Sequence, residues 1–332
     1  MLFTVQRLSQ LLGRPHLPKM SSFNPSLHTI IPQLASSLHK GQAGRVATLG
    51  GCREYTGAPY YAAFSALRVG ADLSHVFCTR GAASVIKSFS PELIVHGVLV
   101  DDDVGGDDAA MQAGADAVSA LLPRVDVLTV GPGLGRDRTV QAAAALVIKR
   151  AVASGTPLVL DGDGLFLLTQ QTGLLAGATS PVVLTPNVNE FARLCNAFLV
   201  EPEVPSALSD LCSALGSSTV VVQKGATDVI AAAAARPLTC SAAGSLRRCG
   251  GQGDVLAGAI ACFLGWAVAA AKREGRVATA ADAQLAAYGG CLVTRLAAER
   301  AFALRRRAML TTDVIAELGP AFEAALDRLP AQ

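Results

Sequence analysis

Seven short apolar runs, each closed by a turn, constrain this chain more than any other feature. They are Arg45-Val-Ala-Thr-Leu-Gly50, Leu73-Ser-His-Val-Phe-Cys78, the stretch from Leu93 to Val100, Val125-Asp-Val-Leu-Thr-Val130, Pro157-Leu-Val-Leu-Asp161, Val182-Val-Leu-Thr185 and Val220-Val-Val-Gln-Lys224. Runs this short and this continuously apolar are strands buried on both faces. Helical patterns follow many of them. Gly57 to Ala71 carries Ala58, Ala62, Ala66 and Leu67 on one side, and a second helix covers about 138–154. Buried strands alternating with helices specify parallel βαβ units with helices on both sheet faces. A hairpin, Val229 to Ala235 and Leu238 to Ala242, comes late in the chain. Two helices, roughly 280–303 and 311–328, close it. The reading is one three-layer α/β/α domain over 36–330 with a mostly parallel central sheet. It has no internal repeat and no linker after residue 40. Ligands of such sheets bind beyond the C-terminal strand ends. The loops 50–57, 131–137, 161–164, 185–190, 224–228 and 244–254 gather there.

Hydrophobic residues make up 51% of the 332 and charged ones 16%, which is ample for a core. A net charge of +2 gives no basic footprint, so neither nucleic acid nor an acidic membrane is expected as a partner. Eight cysteines without a C-x-x-C pair read as reduced thiols, not as a zinc site. Val255 to Ala271 carries no charge over 17 residues and is rich in Ala and Gly. A core helix is expected there, not a membrane span. Residues 1–35 read as a separate segment. No acid precedes Glu54, while Arg7, Arg14 and Lys19 alternate with apolar and serine residues. That pattern suits a transit peptide for the mitochondrion or another organelle; a plain disordered tail has the same composition. Met20 would serve as a second start giving a cytoplasmic form.

The chemistry concentrates in Gly244-Ser-Leu-Arg-Arg-Cys-Gly-Gly-Gln-Gly-Asp254. Glycine lets backbone approach a ligand closely, and the free amides at a helix start attract anions. Asp254 lies where the glycines meet the helix. The dipole there favours its ionised form, ready to take a proton from a hydroxyl. An ordinary N-cap has the same look. Gly131-Pro-Gly-Leu-Gly135-Arg136-Asp137 matches neither the dinucleotide fingerprint nor the P-loop, and a tight turn explains it equally well. Asp161 and Asp163 offer two carboxylates for Mg²⁺, or a helix cap. In Thr185-Pro-Asn-Val-Asn-Glu190, Asn187 or Asn189 can cap a helix from which Glu190 reaches a metal–phosphate group. Lys224 stands beside a Gly turn, fit for a phosphate or for a plain strand end. Arg247 and Arg248 are either simple surface charges or, if the glycines hold an anion, placed to add bonds to it.

Taken together, these segments resemble the ATP-dependent NAD(P)H-hydrate dehydratase family of the ribokinase-like superfamily. The resemblance spans about residues 36–325 and also rests on Tyr55-Thr-Gly-Ala-Pro-Tyr60, Gly70-Ala-Asp72, Ser90-Pro-Glu92 and Gln223-Lys-Gly225. It implies a ribokinase-like fold. It implies substrates that are NADH or NADPH hydrated on the nicotinamide ring, repaired by phosphorylation of the new hydroxyl from ATP and loss of phosphate. Under it Asp254 is the base, and Gly250, Gly251 and Gly253 form the anion hole. ATP contacts fall on Lys224, Gly225, Ala226, Thr227 and Asp228, and on Gly244, Ser245, Leu246, Arg247, Arg248, Cys249, Gly250, Gly251, Gln252 and Gly253. Contacts to the hydrated dinucleotide fall on Gly135, Asn187, Val188, Asn189, Glu190, Phe191, Ala192, Arg193 and Asp254. Mg²⁺ would come with the phosphates, with Asp161, Asp163 and Glu190 as candidate ligands. A separate epimerase is the expected companion, and a homo-oligomer is compatible with the family. Val188-Asn189, and Gly97 with the acidic loop after it, depart from the expected pattern. The rival readings are a vitamin-precursor or sugar kinase of the same fold and a non-catalytic nucleotide-binding protein.

In a chain carrying a C-terminal fluorescent tag, Met20→Leu should abolish the cytoplasmic fraction. An unchanged distribution would remove Met20 as a start.

Overall fold

A computed structural model describes residues 25–326 apart from 37–38, 103–104 and 234. Most of the leader-like segment, Met20 included, lies outside the described residues. The folded body begins ahead of the expected boundary at residue 36. A 3₁₀ turn, Pro25–Thr29, carries Leu27 into the core, and Ile30 is buried beside it.

All seven predicted strands form, as β1 Arg45–Leu49, β2 Leu73–Thr79, β3 Ile94–Leu99, β4 Val127–Val130, β5 Leu158–Leu160, β6 Val182–Leu184 and β7 Thr219–Gln223. The hairpin supplies β8 Asp228–Ala232 and β9 Ala235–Cys240. One nine-stranded sheet results, in the order β3-β2-β1-β4-β5-β6-β7-β8-β9. It is parallel from β3 through β7 and antiparallel at β8 and β9.

Strand residues alternate between the two faces, as a period of two requires. Val46, Val127, Val159, Val183 and Val220 join one buried layer. Ala47, Leu128, Leu158, Leu160, Val182, Leu184 and Val221 join the other. The first layer is covered by α1 Gly57–Val69, α8 Gln252–Arg273, α9 Ala280–Arg305, α10 Thr311–Ala316 and α11 Leu318–Leu326. The second is covered by α3 Asp108–Ser119, α4 Arg138–Ser154, α5 Asp163–Gln170, α6 Val188–Ala197 and α7 Ala207–Leu215. The remaining helix, α2 Arg80–Phe89, lies against β2 and β3. The fold is the expected three-layer α/β/α arrangement.

Some details differ from expectation. The helix expected over 311–328 breaks into α10 and α11. Pro320 falls in the first turn of α11, where a missing N–H leaves no helical bond unmade. The acidic stretch 101–108, which by its charge alone reads as solvated surface, also makes structural bonds. Asp107 caps α3 by accepting from the Ala110 amide at 2.7 Å, and Asp102 accepts from the Thr139 hydroxyl. Gly97 has a packing reason, since a Cβ there would come within 2.8 Å of the Ala83 Cβ on α2. The thiols are free, and seven of the eight are buried, Cys249 being the more open one.

Two close backbone contacts position the site. At Gly50 an added Cβ would stand 2.1 Å from the Pro132 carbonyl oxygen. The loops after β1 and β4 therefore press main chain against main chain. At Gly258 it would stand 1.9 Å from the Ala62 carbonyl oxygen, so α1 and α8 meet without an intervening side chain. Among the described residues α8 is the one helix long and apolar enough to cross a membrane. It is buried from Val255 to Ala267, which makes it the expected core helix.

Gly258→Ala should cost about 1–3 kcal/mol of stability by overpacking, measured as a lowered urea midpoint at constant m. An unchanged midpoint would show that α1 and α8 can move apart at no cost.

Candidate active site

Three neighbouring strands end in residues that meet. Asp161 follows β5, Thr185 follows β6 and Lys224 follows β7, and these strands pair side by side in register. Asp161 is almost fully buried at 4% exposure. Its Oδ1 accepts from the Thr185 hydroxyl at 2.7 Å and from the Lys224 ammonium at 2.9 Å. Lys224 Nζ also lies 3.9 Å from a Glu190 oxygen. Glu190 is held by a capping box at the start of α6. Its carboxylate accepts from the Asn187 amide at 2.7 Å, while Asn187 Oδ1 accepts from the Asn189 and Glu190 amides at 3.0 Å each. Asn187, not Asn189, is therefore the cap. Val188 and Asn189 are exposed on that first turn, so their departure from the family pattern disturbs nothing buried.

The glycine stretch opens α8 beside this group. Gly251 is the N-cap, with φ 97° and no room for a side chain. A Cβ there would stand 2.5 Å from the Tyr61 ring. Gly253 faces the ion pair, since its Cβ would lie 3.4 Å from Lys224 Nζ and 3.8 Å from Asp161 Oδ2. The first helical amides have no partner within the helix, and here no side chain screens them. Asp254 is the third helical residue and not the cap.

The dipole does not decide its charge. Burial, then the neighbouring Asp161 carboxylate, push the Asp254 pKa up to about 7 against the pull of Lys224. The expectation of an ionised Asp254 gives way to one that exchanges its proton near neutral pH. Lys224 itself would lose affinity for its proton through burial, but Asp161 and Glu190 outweigh that and raise it. Burial raises Glu190, with Lys224 opposing.

Asp254 and Glu190 open into a cavity shared with Arg136, Asp163, Phe166 and Arg193, and with main chain at Gly131, Pro132, Gly133 and Gly162. Asp163 does not cap α5; Gly162 does, without a side-chain bond. Instead Asp163 accepts from the Gly135 amide at 2.9 Å and lies 3.6 Å from Arg136 Nε. The Arg136 guanidinium sits 4.1 Å over the Phe166 ring. Of the two arginines before the glycines, Arg247 donates to the Met309 carbonyl at 2.8 Å and anchors the loop, while Arg248 is exposed. Asp228 is bound to Arg295.

Sequence reasoning had not singled out Thr185, Phe166, Tyr61 or Arg295. Phe166 and Tyr61 act through packing, which no local pattern announces. Arg295 did leave a sign. It is the first charge after Asp282 in a long apolar helical stretch, and a buried charge needs a partner.

A family model described as NAD(P)H-hydrate dehydratase matches residues 46–319. A Bos taurus protein named ATP-dependent (S)-NAD(P)H-hydrate dehydratase is 46% identical, covering 94% of this chain and 92% of its own. A Schizosaccharomyces pombe protein of the same name is 40% identical over 94% and 96% of the two chains. A Bacillus subtilis ADP/ATP-dependent NAD(P)H-hydrate dehydratase co-crystallised with ATP/Mg²⁺ has a TM-score of 0.62 at 20% identity, covering 95% of this chain and all of its own. A ribokinase-like superfamily protein from Enterococcus faecalis has a TM-score of 0.67 at 24% identity, over 91% and 95% of the two chains. These structures establish the ribokinase-like fold.

In a carboxyl-labelled NMR titration, Asp161→Asn should move the Asp254 midpoint from about 7 toward the ordinary carboxylate range, because a like charge is removed. Lys224→Met should move it upward. If neither variant shifts the midpoint, the three groups are not electrostatically linked.

Proposed function

The chain belongs to the NAD(P)H-hydrate dehydratase family, and from that premise we propose that the cavity before Asp254 holds the hydrated nicotinamide ring while the glycine start of α8 holds the phosphoryl group of ATP. The activity is ATP-dependent dehydration of NADH and NADPH hydrates back to the intact dinucleotides. The observation that carries the site assignment is Asp254. It lines the cavity and is the third residue of the helix that the glycines open, with a proton affinity poised near neutrality.

The reaction proceeds in two steps. Asp254 takes the proton of the ring hydroxyl as that oxygen attacks the terminal phosphorus of ATP, and ADP leaves. The ring–oxygen bond then breaks with loss of a proton from the adjacent carbon. Phosphate departs, and the ring double bond is restored. Phosphoryl transfer needs alignment and charge stabilisation more than a nucleophilic side chain. Amides from Gly250 to Gly253 and the α8 dipole face the migrating charge. Lys224, kept cationic by Asp161 and Glu190, adds to them. Arg136, Arg193 and the segment from Asn187 to Arg193 border the dinucleotide.

Magnesium fits as an ion carried by the phosphates. Asp161 and Glu190 are oxygen donors beside the amide cradle, yet among the described residues no group of three or more acid, His or Cys side chains could hold an ion unaided. Asp161 and Glu190 would complete its shell, and the ion would add positive charge to the transferring group. Asp163, tied to Gly135 and Arg136, would not.

Incubation of hydrated NADH with ATP should restore the absorbance of the intact cofactor, which a kinase releasing a stable phosphate ester would not do. Asp254→Asn should lower kcat by about 10²–10⁴, the usual weight of a general base. An Asp254→Asn enzyme with full activity would end the assignment. A base must be deprotonated to act, so kcat/KM should rise with pH through about 7 as Asp254 of the free enzyme loses its proton. Asp161→Asn should shift that rise to lower pH, and an unshifted limb would assign it to another group.

A further inference from the structure

Arg295 projects from the middle of α9 and is 14% exposed. All five of its N–H donors are engaged. Nε donates to Asp228 Oδ2 at 2.6 Å, and Nη2 to Asp228 Oδ1 and the Gly225 carbonyl at 2.8 Å each. Nη1 donates to the Ala226 carbonyl at 2.9 Å and to the Ala242 carbonyl at 3.2 Å. Asp228 closes the same turn by accepting from the Gly225 amide at 3.1 Å. Gly244 lies over the fork, where a Cβ would come 3.9 Å from Nη1. One guanidinium thus joins the two chain segments that flank the β8–β9 hairpin. One is the turn after Lys224, and the other is the chain entering the glycine stretch. An ion pair meant only for stability needs Asp228 alone. Two of the three extra bonds go to carbonyls of the turn assigned to ATP, Gly225 and Ala226, and the third to Ala242, two residues before the glycine stretch assigned to ATP.

We infer that Arg295 is the positioning residue for ATP, setting the separation of the 225–228 turn and the 242–253 loop without touching the nucleotide. The inference rests on the assignment of those segments to ATP. Asp228 acts in the same unit, orienting Arg295 instead of contacting a phosphate. Lysine cannot replace the fork, because a single ammonium cannot reach both segments and keep the bidentate pair. Small misplacements of binding groups carry large kinetic effects.

The test uses the full-length enzyme and two variants. Arg295→Lys keeps the charge beside Asp228. The double variant Asp228→Asn with Arg295→Gln leaves no stranded charge, so folding is preserved if the single variant fails to fold. Both should raise KM for ATP on the order of tenfold to a hundredfold. KM for hydrated NADH should stay within about twofold, and kcat at saturating ATP should change less than KM for ATP. Amide exchange should quicken in both segments together. Equal shifts in the two KM values, or a fall in melting temperature with KM for ATP unmoved, would make Arg295 a stabilising residue only and overturn the inference. In the wild type, ATP should protect 225–228 and 244–253 from exchange. Failure of that arm alone would overturn the nucleotide assignment, and the positioning role with it.

Discussion

A single ammonium among three carboxylates governs this site. Lys224 bonds to Asp161, approaches Glu190 and lies within electrostatic reach of Asp254. Each anion alone would be expensive to bury, and one cation cannot neutralise three. The remainder of the charge problem falls on Asp254, whose pKa rises to about 7. What makes the carboxyl a poor anion would, on the proposed reading, make it a competent acceptor for the proton of a hydroxyl. The arrangement also explains why the neighbouring surface is backbone amide: further side-chain anions would be intolerable there, and phosphates need donors.

The geometry follows from burial. Helix α8 carries no charge through its middle and is enclosed on all sides, so its first turn is fixed by the core and not by loop sequence. Gly258 lets α1 approach, Tyr61 on α1 packs against Gly251, and Thr311 on α10 bonds to the Gly250 carbonyl. The strand ends bring Asp161, Thr185 and Lys224 into one row because β5, β6 and β7 are adjacent and parallel. Core packing and catalytic placement are here one constraint.

Much of this was legible in the chain. Apolar β-branched runs gave the strands, and the glycines before Asp254 marked the start of α8. A cap at Asn187 or Asn189 was legible too; the structure chooses Asn187 and pairs it with Glu190 in a capping box. The acid–base state of Asp254 was not legible, because it depends on burial and on Asp161, which is remote in sequence. The same holds for Arg295, whose partners are separated from it by dozens of residues, and for Asp163, which looked like a cap and instead secures Gly135. Local pattern reports periodicity and turns, whereas charge pairing across strands emerges only when topology is known.

The contact of Gly50 with Pro132 has a last implication. In open α/β sheets the gap between the first strand and its outward neighbours commonly serves as the ligand crevice. Here main chain plugs it, and the cavity beside the plug is walled by Gly131, Pro132, Gly133 and Gly162. The three glycines of that wall offer no side chain to exchange. On the proposed reading, changing what this cavity accepts would work through the side chains of Arg136, Phe166 and Arg193.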